Sequence, residues 1–318
     1  MTTDNNDNLQ SWEKKALEQL LNDVVKEQRR ARRWKLFFRF IYLIIIIMVV
    51  MLIIPDHGKT YDTSKSHTAL VVMKGELADG GDANAEDINE SLDDAFSAKN
   101  TKAVLLEIDS PGGSPVQAGE IYDNITRLEQ AHPKIKVYAV CTDVCASGAY
   151  YVAAAANYIY ADKASLVGSI GVLMDGFGFV DTLDKLGVQR RLMTSGSEKG
   201  FMDPFSPVKP EDQAYMQTML NIIHQQFIDA VKTGRGDRLK EDPLLFSGLV
   251  WTGQQAEQLG LVDGLATPDD VVRSIIKEPH VVDYTQQDTF FNKFANHIGS
   301  SAANSAASLL GIQPSMLR

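Results

Sequence analysis

The chain has 318 residues, 44% of them hydrophobic and 23% charged, which suits one large globular domain or two small ones and excludes a disordered, collagen-like or many-spanning membrane chain. The net charge of −10 is uneven: residues 1–39 hold nine Lys/Arg against six Asp/Glu, so they carry +3 and the rest carries −13. An acidic body without a basic stripe or Cys/His metal spacing argues against nucleic acid as a partner, and two cysteines are too few for a disulfide scaffold.

Residues 1–35 are predicted to be a cytoplasmic segment, with Ala16, Leu20 and Val24 at helical spacing. Residues 36–54 are apolar except for Arg39 and end at Pro55. As a helix they would measure about 28 Å, against a hydrocarbon core of about 30 Å, so they are predicted to span a bilayer once. Lys26, Arg29, Arg30, Arg32, Arg33 and Lys35 precede the run and the single Lys59 follows it, which by the positive-inside rule keeps the N-terminus in the cytoplasm. The long preceding segment and the lack of a small-x-small cleavage site point to an uncleaved signal anchor. The expected location is the inner membrane of a bacterial cell, single-pass, with the following domain in the periplasm. Residues 55–67 read as a polar linker.

Strand and helix patterns then alternate. ALVVM from Ala69 is a strand; Ile88, Leu92, Ala95 and Phe96 mark a helix face; Ala103 to Ile108 is a second strand. Ile121, Ile125 and Leu128 belong to a further helix, and KVYAVC from Lys136 is a third strand. Repeated βα units predict an α/β domain over residues 68–284, with helices around a mostly parallel sheet and sites at the carboxyl ends of its strands. Residues 285–318 form a tail with a weakly amphipathic, aromatic-rich pattern.

The unusual residues follow strands. Asp109-Ser110-Pro111-Gly112-Gly113 succeeds the second, and Asp143-Val144-Cys145-Ala146-Ser147-Gly148-Ala149-Tyr150-Tyr151 succeeds the third and runs into a predicted helical AAAA at 153–156. A glycine pair presents bare N–H groups, and a serine opening a small-residue helix sits at its positive end, which suits an oxyanion. Taken singly, Pro-Gly-Gly is also an ordinary turn, Ser147 an N-cap, and Lys199 a solvated loop lysine beside Glu198.

In this order the motifs resemble the SppA-type signal peptide peptidases, a branch of the ClpP/crotonase-like superfamily. The resemblance continues through Val167-Gly168-Ser169-Ile170-Gly171-Val172, Gly196-x-x-Lys199, Pro204-Phe205, Gly248-x-Val250-Trp251-Thr252-Gly253, Ala256 and Gly260-Leu261-Val262-Asp263, and covers residues 69 to about 265. The anchor and the single catalytic-type domain look like the short members of the family.

The resemblance implies a ClpP/crotonase-like fold and a serine endopeptidase using a Ser-Lys dyad. Ser147 would be the nucleophile, Lys199 the general base and Ser169 the residue that orients Lys199. The oxyanion hole would use the N–H of Gly148 with that of Gly112 or Gly113, a choice the sequence leaves open. A lysine acts as base only when neutral, which calls for an apolar site that lowers its pKa from about 10.4 toward about 7 to 8. Of the six histidines, at His57, His67, His132, His224, His280 and His297, none has a motif around it. No cofactor or metal is required. The resemblance further implies peptide or protein substrates with extended apolar segments, such as remnant signal peptides, cut in or beside the membrane. In full-length members the lysine and serine lie in different tandem halves, so a homo-oligomer with the dyad shared between subunits is expected.

Ala146, Ala149, Val172 and Leu173 are compatible with shallow hydrophobic subsites. Cys141 and Cys145 bracket the approach to Ser147 and leave a disulfide open. Two rival functions remain: an inactive membrane-anchored scaffold of the same fold, and a crotonase-type enzyme acting on a thioester, which would need the two N–H groups but not Ser147 and Lys199 together.

Overall fold

The computed structural model describes residues 26–30, 32–47 and 64–286. The chain divides into two units, Met1–Tyr61 and Asp62–Arg318. In the first, 26–30 and 32–47 are helical. No helix among the described residues is long and apolar enough to cross a membrane. Residues 48–54 of the expected span lie outside the described residues, as do most of the linker and nearly all of the tail.

The second unit begins with β1 (His67–Lys74), one residue inside the linker drawn from the sequence. His67 is fully buried, and its ring lies 3.0 Å from both the Tyr284 hydroxyl and the Lys65 carbonyl, which ties the start of the domain to the residue just past its last strand. Helix α1 (Ala85–Ser97) is capped by the Asn84 side chain, which accepts from Asp87 N–H, and buries Ile88, Leu92, Ala95 and Phe96 as their spacing predicts. Next come β2 (Thr101–Ser110), α2 (Pro115–Ala131) with Ser114 as N-cap and proline in its first turn, and β3 (Lys136–Ala146). Helix α3 (Gly148–Ala153), β4 (Tyr158–Ala161) and β5 (Leu166–Gly168) follow. Beyond them lie α4 (Val180–Lys185), α5 (Pro210–Arg235), β6 (Val250–Thr252), α6 (Gly253–Gln258), β7 (Gly264–Leu265) and β8 (Val281–Asp283).

The strands form one sheet in the order β6-β5-β3-β2-β1-β8, with β4 beside β3 and β7 beside β4. All pairings are parallel except β5 with β6. The chain is therefore an α/β protein built on a mostly parallel sheet. One face is sealed by Val271, Val272 and Ile276, packed with Ala103, Leu105 and Val140.

Strand β3 runs five residues beyond the apolar stretch legible in the sequence, because it serves two neighbours in turn. Tyr138 to Cys141 pair with β4, whereas Val144 to Ala146 pair with β5. Ser165 bridges the fork, its hydroxyl donating to the carbonyls of Cys141 and Thr142. The register against β2 shifts at the same place, so that Cys145 stands opposite Ser110. The predicted helix over 153–156 is corrected: α3 stops at Ala153, and Ala155 and Ala156 make tightened bonds to Val152 and Ala153 that turn the chain into β4.

Candidate active site

The fork in the sheet delivers Ser147 to the end of β3, where α3 begins. Its backbone is in a left-handed conformation, φ 53° and ψ −127°, held by its N–H donating to Gly168 O (2.8 Å) and its carbonyl accepting from Tyr151 N–H (3.0 Å). Such a conformation costs a non-glycine residue about 1–3 kcal/mol, and the sheet and helix on either side impose it. Ser147 caps no helical N–H with its side chain, so the N-cap reading of its hydroxyl does not hold.

Ser147 lines a cleft of about 830 Å³, together with Gly113, Gly148, Ser169 and Gly171. One wall comes from α5, through Met216, Met219, Leu220, Ile223 and Phe227, a stripe at helical spacing that the sequence reading passed over. Tyr151 lines the cleft as well and stacks on Phe227 at 5.0 Å. Val172 and Leu173 are in the lining as expected, but Ala149 is wholly buried in the core and contributes no subsite. Glu76 is the one acidic residue in the lining.

The two candidate glycines behave differently. The N–H of Gly112 is engaged, donating to the buried Ser110 hydroxyl at 3.1 Å. Gly112 O accepts from Leu77 N–H and Leu77 O from Ser114 N–H, each at 2.8 Å. Among the described residues Gly113 N–H has no such bond, and its nitrogen stands 3.3 Å from where a Cβ on Gly148 would be. Gly148 is the first residue of α3, so its own N–H has no partner within the helix. Two free N–H groups thus flank Ser147, from Gly113 and Gly148, while Gly112 packs behind them.

Ser169 shares the cleft. It too is left-handed, at φ 51°, and its N–H donates to Leu249 O at 2.8 Å. Lys199 does not line the cleft. It lies solvent-exposed in a turn closed by its N–H to Gly196 O at 3.2 Å. Glu198 beside it borders a separate depression with Glu211 and Tyr215.

Nearby groups have structural employment. His224 contacts the Ile170 carbonyl at 3.1 Å. Cys141 and Cys145 are free thiols, both buried. Burial, followed by the hydrogen bond and electrostatic coupling to Cys141, pushes the Cys145 thiol up. Among the described residues no group of three His, Cys, Asp or Glu is placed to hold a metal ion.

The model of peptidase family S49 matches residues 129–281. A protein of Enterococcus faecium named "Putative signal peptide peptidase SppA" is 30% identical over 237 residues, which cover 71% of this chain and 68% of that protein. The chain belongs to this SppA-type S49 peptidase family. A higher identity, 49% over 174 residues, is found with a Brucella melitensis protein named Na(+)/H(+) antiporter NhaA; the match covers 55% of this chain but only 24% of that protein. Among solved structures, a mutant of the 1510-N membrane-bound stomatin-specific protease in complex with a substrate peptide is 14% identical, with a TM-score of 0.41, over 74% of this chain and 99% of that one.

Proposed function

We propose that this S49 family member is a membrane-anchored serine endopeptidase with a Ser-Lys dyad that cuts extended apolar segments, remnant signal peptides among them. The observation that carries the proposal is Ser147, strained and lining an apolar cleft, its hydroxyl capping no helical N–H, between two N–H groups that bond nothing else among the described residues. Ser147 Oγ attacks the peptide carbonyl while Lys199 takes its proton. The N–H groups of Gly148 and Gly113 bind the tetrahedral oxyanion. Lys199 then hands the proton to the leaving amine, and water releases the acyl group from Ser147. Ser169, in the same cleft, orients the lysine.

Lys199 is outside the cleft of its own chain, so we assign the base to a neighbouring copy in a homo-oligomer. Leu173, Phe177 and Met193, between Ser169 and α5, are 80%, 80% and 94% exposed, a cost that a second copy would remove. A head-to-tail arrangement repeated around an axis closes into a ring and brings Lys199 of one copy to Ser147 of the next. The basic flank before residues 36–54 supports an N-terminus in the cytoplasm and a peptidase domain outside it.

The test uses the full chain in detergent and a denatured protein substrate. Wild type is expected to cleave it, and Ser147→Ala and Lys199→Ala to be inactive and folded. Mixed under exchange conditions, the two dead variants should regain clear activity, since random assembly leaves roughly a quarter of shared sites intact. A mixture that assembles and stays dead, beside an active wild type, places the dyad in one chain. An inactive wild type leaves the scaffold function instead.

A further inference from the structure

We propose that Ser110 is a positioning residue for the oxyanion hole: its buried hydroxyl holds the Pro111-Gly112 turn so that Gly113 N–H alone faces the cleft. This role presupposes the peptidase function above, with Ser147 as nucleophile.

Ser110 is the last residue of β2 and has no solvent exposure. Its Oγ accepts the N–H of Gly112 two residues on, a local turn that fixes the peptide plane between Pro111 and Gly112. The next plane is fixed from outside. Leu77 N–H holds Gly112 O, and in a trans peptide the N–H of Gly113 points the opposite way. Ser114 N–H bonded to Leu77 O closes the far side. The two planes share the Cα of Gly112, at φ 93°, where the missing side chain leaves φ and ψ little restrained. Without the Ser110 bond only one of those planes stays anchored, and Gly112 N–H becomes a second free donor behind the first.

A hydroxyl suits the position for a reason a hydrocarbon cannot meet. Gly112 is buried, so its N–H must be satisfied within the protein, and Ser110 does so without spending a donor that the oxyanion needs. Strand pairing brings Ser110 opposite Cys145, two residues before Ser147, so both halves of the hole are registered across one strand pair.

The experiment compares wild type with Ser110→Ala, Ser110→Thr and Ser110→Cys, using an apolar peptide substrate and a peptidyl boronic acid that forms a tetrahedral adduct with a serine hydroxyl. Ser110→Ala is expected to lower kcat about 10–100-fold with KM within about twofold, and to weaken boronate binding by the same factor as kcat. Ser110→Thr, which restores a hydroxyl, should recover most of kcat. Ser110→Cys fills the same space with a poor acceptor and should behave like Ser110→Ala, so it carries the test if the alanine variant does not fold. The proposal is overturned by a kcat within twofold of wild type in Ser110→Ala. It is overturned equally by a kcat loss without a matching loss of boronate affinity, by a folded Ser110→Thr as slow as the alanine variant, or by failure of both the alanine and cysteine variants to fold. Ser147→Ala runs in parallel: a wild type that neither turns over nor binds boronate through Ser147 overturns the peptidase function and this role together, whereas the other outcomes remove only the role of Ser110.

Discussion

Gly112 and Gly148 approach so closely that a Cβ on the first would stand 2.6 Å from the amide nitrogen of the second, and equally close to Ala146 O. Gly112→Ala therefore has no room, and its φ of 93° adds strain. The expected result is a loss of about 100-fold or more in kcat/KM, because the displaced atom is an oxyanion donor. Gly119 in α2 is the control: nothing lies within 4 Å of a Cβ there, so Gly119→Ala should leave activity unchanged and hold or raise Tm. Equal activity in the two variants would refute the assigned geometry.

Arg235 is fully buried at the end of α5 and grips Asp263 with two hydrogen bonds, 2.8 and 3.0 Å, while its Nε donates to Gly260 O at 2.9 Å. These bonds fasten the helix that walls the cleft to the segment before β7. Arg235→Ala leaves the partly buried Asp263 with only the Arg238 guanidinium at 3.2 Å and the Ile159 N–H at 2.7 Å, and is expected to cost about 1.5–3 kcal/mol in denaturant unfolding. Burial pushes the Asp263 carboxyl up, but the Arg235 bonds, the Ile159 N–H and the charges of Arg235 and Arg238 outweigh it and hold the group below its ordinary value. Its contribution is thus present above the ordinary aspartate range and lost as pH falls through the depressed value. Acid unfolding of Arg235→Ala should lose the part of that component that Arg235 supplies, with Arg238 and the Ile159 N–H keeping the rest; an unchanged acid limb would count against the pair.

Glu129 in α2 has the opposite sign. Burial raises its carboxyl to about 7 against the lowering effects of Lys136 and Asn157, and its Oε1 is buried with no partner. Between about 4.5 and 7 the folded state keeps a proton that the unfolded chain has lost, so stability falls as pH rises through that window. Glu129→Gln should match wild type near pH 4.5 and exceed its Tm at pH 8. A variant less stable than wild type at pH 8 would show that the carboxylate is compensated.

Met219 projects from α5 into the cleft lining. Met219→Asp should raise KM for apolar peptides about tenfold or more through lost apolar contact, with Tm little changed because the residue is 37% exposed. An unchanged KM would move the substrate path away from this wall.

The βα units from β1 to β3 are legible in the chain alone, since buried parallel strands are continuous apolar runs and α1 shows its buried face in its spacing. The sequence also marked Ser147 and the glycine pair, because small residues after a strand are locally conspicuous. The end of β3 was hidden: TDV after KVYAVC is not an apolar run, and it stays extended only because β4 and β5 take it in turn. The choice between Gly112 and Gly113 was likewise beyond local pattern, since it turns on which N–H the Ser110 hydroxyl consumes and on where Leu77, over thirty residues earlier, holds a carbonyl. The stripe on α5 became a cleft wall through packing on Tyr151, and Lys199 fell outside that cleft. Motifs are written in neighbouring residues, whereas the direction of an N–H and the walls of a cleft are set by hydrogen bonds and packing between segments far apart in the chain, which only the tertiary structure brings together.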